Sequence, residues 1–224
     1  MLKDGYIVVN KPKAVTSHDV VDLIRRKFKL KKVGHAGTLD PMATGVLVIL
    51  LGNCTKLFDK FLTFEKEYCA CLHLGSRTST GDIEGEVLET KSYEFLTEEA
   101  VLKAMSDFVG EVMQVPPMVA AIKYKGKPLY ELARKGIEVP RKARKIMIKE
   151  LKLLSYCLPD IRFYLKCSRG TYVRQLGDDL AQKLETAGCI SEIERVGVGR
   201  FKLVDALKLE EITEKSVKPW VEIC

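Results

Sequence analysis

The stretch Val33–Gly45 reads VGHAGTLDPMATG, which places three glycines, one histidine and one aspartate between two segments whose patterning demands burial. On its N-terminal side, TSHDVVDLIRRKF carries Val20, Val21, Ile24 and Phe28 near a 3.6-residue period, with Thr16 and Asp19 in capping-box spacing, and predicts an amphipathic helix. On its C-terminal side, VLVILLG is a short continuous apolar run, the pattern of a strand buried on both faces. The stretch between is therefore a loop held at both ends. Its glycines allow other backbone to come close, and Pro41 biases Asp40 away from the helical region. Asp40 is the loop's only acid. Two roles are open to it: capping its own turn, as Asp before Pro commonly does, or holding a carboxylate rigidly toward a ligand.

Outward from this loop, the chain alternates strand and helix signals. YIVVN at Tyr6–Asn10 is a strand and CTKLFDKFL is helix-like. KEYCACLHLG alternates, with Tyr68, Ala70, Leu72 and Leu74 on one face. GSRTSTGDIEGEV is a loop leading into a hairpin strand, and LTEEAVLKAMSDFVG is a helix capped by Thr97. MVAAIKYKGKPLYELARKG predicts a strand, a basic turn and a short helix closed by Gly136. Strands follow at KIMIKELKLL and IRFYLKCS, then a helix from about Thr171. Hairpins mixed with isolated helices predict α+β rather than a doubly wound parallel sheet.

With 224 residues, 46% of them hydrophobic, the chain can bury a sizeable core, and residues 1–224 are expected to form a single domain. No apolar run reaches the roughly 18 residues that cross a bilayer, and the start lacks a signal-peptide pattern, so a soluble, cytoplasmic protein without a membrane partner is expected. Seven cysteines include no C-x-x-C pair and read as reduced thiols packed like small apolar residues. His18, His35 and His73 are dispersed, and no structural metal is expected.

Charge is segregated. Residues 121–175 hold 15 Lys or Arg against 4 Asp or Glu, residues 1–40 hold 9 against 4, and the remainder is net acidic although the whole chain is +7. Two basic blocks of this kind suit a phosphate backbone. CSRGTYVR, Cys167–Arg174, takes a strand through a Gly turn into a helix start beside Arg169 and Arg174, which suits a phosphate or a carboxylate. Tyr68 is either a core residue or a ring on which a base stacks.

The loop GHAGTLDPMATG followed by VLVILLGNCTK closely resembles the catalytic signature of the TruB family of tRNA pseudouridine synthases. NKP at Asn10–Pro12, EYCACLHLG, PPMVAAIKYKGKPLYELARKG and CSRGTYVRQLGDDL resemble the family's other blocks, in the same order and at similar spacings. The resemblance implies a pseudouridine synthase fold: a central, mostly antiparallel mixed sheet flanked by helices, with an active-site cleft across it. It implies a cofactor-free enzyme that flips a uridine out of the TψC loop of tRNA and isomerises it at position 55. A monomer acting on the tRNA T-arm, with no obligate protein partner, is expected. By the same match, Asp40 is the catalytic aspartate, Tyr68 the active-site tyrosine and Arg174 the arginine that pairs with the catalytic carboxylate. Tyr172 is a pocket residue beside it, His35 the histidine associated with extruded loop nucleotides, and Lys11 the active-site lysine. The family usually has Thr-Asp-Thr where this chain has Thr78-Ser79-Thr80, so no substrate contact carries over to Ser79. Bacterial members generally continue into a small PUA-like RNA-binding domain that has no counterpart before Cys224.

Isomerisation breaks a C–N glycosidic bond and forms a C–C bond while the base is held, so water must be excluded and the nucleotide unstacked. A single carboxylate can attack the uracil ring, attack C1′, or remove a sugar proton, and all three routes stay open. Two other readings compete. A non-catalytic RNA-binding or tRNA-folding protein needs the basic blocks but not the Asp40 constellation. A glycoside hydrolase usually needs two carboxylates, and these motifs offer one.

Overall fold

The computed structural model describes residues 4–120 and 122–220, and they gather into two compact units: 4–69 with 193–220, and 70–192. The strand expected over MVAAIKY crosses position 121, and Cys224 lies outside the described residues.

The first unit begins with β1 (Gly5–Lys11), α1 (Ser17–Phe28), β2 (Val33–His35), β3 (Thr44–Leu51) and α2 (Phe58–Leu62). Helix α1 starts where its capping box predicts: the Thr16 side chain accepts from the Asp19 N–H, and the Asp19 carboxylate accepts from the Thr16 N–H. It buries Val20, Val21, Ile24 and Phe28. The apolar run VLVILL is strand β3, buried along its length because β1 and β2 pair with it antiparallel. CTKLFDKFL splits into a 3-10 turn over Gly52–Leu57 and the single turn of α2.

Strand β4 (Lys66–Leu74) opens in the first unit and continues into the second. There follow β5 (Ser76–Thr78), β6 (Val87–Thr90), α3 (Glu98–Ser106), β7 (Gly110–Gln114), β8 (Lys123–Tyr124), β9 (Lys127–Pro128), α4 (Leu129–Ala133), β10 (Arg144–Cys157), β11 (Asp160–Cys167) and α5 (Val173–Lys183). Strand β12 (Gly188–Val198) then leads back into the first unit, where β13 (Phe201–Lys202) pairs with its end. Within the second unit the strand order is β4-β11-β10-β7; within the first it is β1-β3-β12. The β12–β3 pairing is parallel, Arg195 opposite Gly45, whereas β10 pairs antiparallel with both β11 and β7. The expected α+β class with a mixed, mostly antiparallel sheet flanked by helices is the observed one.

The core of the first unit joins Tyr6, Val8, Val46, Val48, Leu50, Phe61 and Phe201. Phe61 and Phe201 stack with centroids 5.9 Å apart, and Tyr6 meets Phe201 edge-on at 5.2 Å. Each such fully buried side chain contributes about 1.5–3 kcal/mol. The tail closes the outer edge of β1: Leu207 N–H donates to Val8 O and accepts at its own O from Asn10 N–H, and Lys218 exchanges two hydrogen bonds with Tyr6. In the second unit α5 lies so close to β12 that a Cβ on Gly177 would stand 2.6 Å from Ile190 Cδ1. Cys54, Cys71, Cys167 and Cys189 are buried and in no disulfide, and burial pushes the Cys54 thiol up to about 11.

Candidate active site

Four of the expected site residues, Lys11, His35, Asp40 and Tyr68, belong to the first unit; Tyr172 and Arg174 belong to the second. The loop carrying Asp40 is built from its carbonyls outward. Lys11 ends β1 and is 0% exposed; its ammonium donates to Pro12 O at 2.9 Å, Val15 O at 2.6 Å and Pro41 O at 3.2 Å. An ammonium has three protons, and backbone carbonyls take all of them. Lys11 therefore acts on the residue next to Asp40 through that residue's backbone. Burial lowers its pKa to about 8 against the opposing pull of the Asp40 charge.

Two further side chains hold the same loop. Ser17, the first residue of α1, donates from Oγ to Leu39 O at 3.1 Å and accepts from Leu39 N–H at 2.9 Å. Arg195, on β12 and 1% exposed, donates from Nε to Val46 O, from Nη1 to Thr38 O and from Nη2 to Gly37 O, at 2.7, 3.3 and 3.0 Å. Asp40 O accepts from Ala43 N–H at 3.1 Å, and Pro41 O also accepts from Ala14 N–H at 2.9 Å. Every carbonyl from Gly37 to Pro41 is thus satisfied inside the protein, which leaves the Asp40 backbone little freedom.

His35 sits on β2 with Nδ1 buried and without a hydrogen-bond partner. Burial and the neighbouring Arg195 charge lower its pKa, so the ring is neutral near pH 7. Tyr68 lies on the inward phase of β4 and is 8% exposed.

In the second unit, Tyr172 is the N-cap residue of α5, and its backbone is pinned by a buried amide that the sequence reading does not single out. Gln114 accepts from Tyr172 N–H at 2.8 Å and donates to Tyr172 O at 3.1 Å. Arg174, 3% exposed, donates to Thr80 O at 2.6 Å and Val119 O at 2.8 Å, with Asp82 3.6 Å away. Ser79, where the family usually has Asp, accepts from Glu86 N–H at 3.1 Å and donates its own N–H to Glu86 O, which closes the turn between β5 and β6.

From the second basic block, Lys123, Tyr124, Arg141, Lys142 and Arg144 line a groove of about 370 Å³. Arg141 Nε is buried there without a hydrogen-bond partner. Among the described residues, no three His, Cys, Asp or Glu side chains cluster as metal ligands, and no helix is long and apolar enough to cross a membrane.

Sequence reasoning passed over Ser17, Gln114 and Arg195. Arg195 carried a signal: it occupies the same phase of β12 as the buried Ile193 and Gly197, a charged residue at an inward position.

The profile described as TruB family pseudouridylate synthase (N terminal domain) matches residues 25–173. The tRNA pseudouridine synthase B of Clostridium tetani is 46% identical over 218 residues, covering 97% of this chain and 75% of the relative. That of Opitutus terrae is 44% identical over 209 residues, covering 93% and 87%. Among solved structures, a chain of a Cbf5-Nop10-Gar1 complex superposes with a TM-score of 0.76 at 27% identity. It covers 97% of this chain, which spans 60% of that chain's length. A chain of an H/ACA RNP bound to a substrate RNA containing 2′-deoxyuridine gives a TM-score of 0.72 at 25% identity, with 96% and 59% covered. With the profile spanning well over half of the sequence, Asp40 and its loop included, and two relatives aligned along nearly all of it, the chain belongs to the TruB family of pseudouridylate synthases.

Proposed function

We propose that this chain isomerises a uridine in the T-arm loop of tRNA, at position 55, to pseudouridine, with Asp40 as the reacting carboxylate. The observation that carries this reading is the Asp40 loop, whose carbonyls from Gly37 to Pro41 are all bonded within the protein, so that one acid is held in place. Rigid placement is what a reaction with little other chemical machinery needs. The C1′–N1 bond breaks, the uracil turns, C1′–C5 forms, the proton on C5 leaves and N1 gains one. No atom is lost and no electron acceptor is required.

Tyr68 assists removal of the C5 proton or stacks on the uracil. Arg174, as a catalytic arginine, and Tyr172, as a pocket residue, extend the same assignment to the start of α5. His35, neutral and with a free ring nitrogen, contacts an extruded nucleotide. Lys11 positions the Asp40 loop. The groove at Arg141 contacts the tRNA backbone, and the enzyme acts as a cytoplasmic monomer.

Incubation with unmodified tRNA, followed by mapping of pseudouridine at single-nucleotide resolution, tests the reading. One modified uridine in the T loop is expected. Released uracil would indicate a hydrolase, and unchanged RNA with retained binding would indicate an RNA-binding protein.

A further inference from the structure

Arg195 is a buried cation whose guanidinium protons go to carbonyl oxygens rather than to a carboxylate. Its backbone stands opposite Gly45 in the β12–β3 pairing, while its side chain reaches Gly37 and Thr38 before Asp40 and Val46 after it. One planar group thus ties both ends of the loop to one strand. A guanidinium carries its donors in a fixed fork, so the positions of the three carbonyls are coupled; an ammonium at the same place would impose no such relation. Ser17 adds the middle contact, gripping Leu39 through both its N–H and its C=O. Loops ordinarily leave their carbonyls to water, and here the residues flanking a single acid are held by buried side chains from two different elements.

We propose that Arg195 and Ser17 are positioning residues that hold the Asp40 carboxylate in its reactive orientation through the backbone of residues 37–39 and 46. The proposal rests on Asp40 being the reacting group, and it assigns Arg195 a role beyond that of a buried residue stabilising the fold.

The test compares wild type with Arg195→Lys, Ser17→Ala and, as a core control, Phe61→Leu, in the full chain. Three quantities are read: single-turnover rate at saturating unmodified tRNA, tRNA affinity by filter binding, and exchange of the Leu39 and Ala43 amides against those of β1 and β3. For Arg195→Lys the expected result is a rate loss of about 100-fold, the scale set by a displacement near 1 Å. Its tRNA affinity stays within a few-fold, and exchange at Leu39 and Ala43 accelerates by roughly tenfold while β1 and β3 keep their protection. Ser17→Ala shifts the same quantities in the same direction by less and decides the matter if Arg195→Lys does not fold. Phe61→Leu loses stability without loss of rate.

A rate for both Arg195→Lys and Ser17→Ala within threefold of wild type, or exchange that rises uniformly across the first unit, overturns the proposal. Inactivity of the wild-type chain would instead refute the function proposed above, and the amide exchange would still report whether the clamp holds the loop.

Discussion

Gly45 and Arg195 meet backbone to backbone: a Cβ on Gly45 would overlap the Arg195 carbonyl oxygen and stand 2.8 Å from its nitrogen. Gly45 also has φ +100°, where a side chain is strained whatever the space around it. The approach brings the end of the Asp40 loop against β12. Gly45→Ala must therefore push two paired strands apart at their junction, and a loss of about 3 kcal/mol or more is expected, the range of overpacking and backbone strain combined. Urea unfolding measures it, and a midpoint close to wild type would show that the pairing yields at no cost.

Asp40→Asn removes the charge and the nucleophile while keeping nearly the same contact area. Turnover is expected to vanish, with tRNA affinity within a few-fold of wild type. Retention of more than a few per cent of the wild-type rate, measured on purified protein in single turnover, would remove Asp40 from its role.

Tyr68 separates two functions of one ring. Tyr68→Phe keeps the stacking surface, so affinity should hold while the rate falls steeply if the hydroxyl assists proton removal. Tyr68→Leu should weaken binding as well, by about 1–3 kcal/mol per stacked base. A Phe variant as fast as wild type would leave Tyr68 a stacking role alone.

Lys11 gives stability a pH dependence with a defined sign. Its folded pKa is about 8, below the ordinary value of 10.5. Between those values the unfolded chain binds the proton and the folded chain does not, so stability rises with pH across that window. Below pH 8 the cost of the buried charge is fully present. In Lys11→Met this term is absent, so wild-type stability should gain on the variant from pH 8 upward, by at most about 1.4 kcal/mol per pH unit. Denaturant midpoints from pH 7 to 10 check it, and parallel profiles would show that Lys11 titrates as it does when unfolded.

The groove at Arg141 is expected to capture RNA without taking part in the chemistry. Replacing Arg141, Lys142, Arg144 and Lys145 with alanine should weaken tRNA binding and flatten its salt dependence, by about 0.7–0.9 log units per log unit of salt for each phosphate no longer neutralised. The saturated rate should stay near wild type. Lys145 pairs with Glu111 at 2.6 Å and Arg141 with Glu138 at 3.2 Å, so these two are expected to contribute less than Lys142 and Arg144. Filter binding across a salt series decides it: an unchanged slope means a solvated surface, and a collapsed saturated rate means that the groove belongs to the active site.

What the sequence determined by itself was local. The capping box at Thr16, the apolar run of β3, the alternation of β4, the Thr97 cap and the Lys125-Gly126-Lys127 turn all specify structure through neighbours a few residues apart, and each stands where its pattern placed it. The glycine-rich loop was legible as a loop, and its single acid as the candidate for chemistry, because Gly and Pro act on the backbone where they stand. Only the tertiary structure decided what holds that acid. Lys11, Ser17 and Arg195 reach the loop from β1, α1 and β12, up to 158 positions away in the chain. No local pattern records such a contact, since each side chain meets its carbonyl only when β1, α1 and β12 are brought together around the loop.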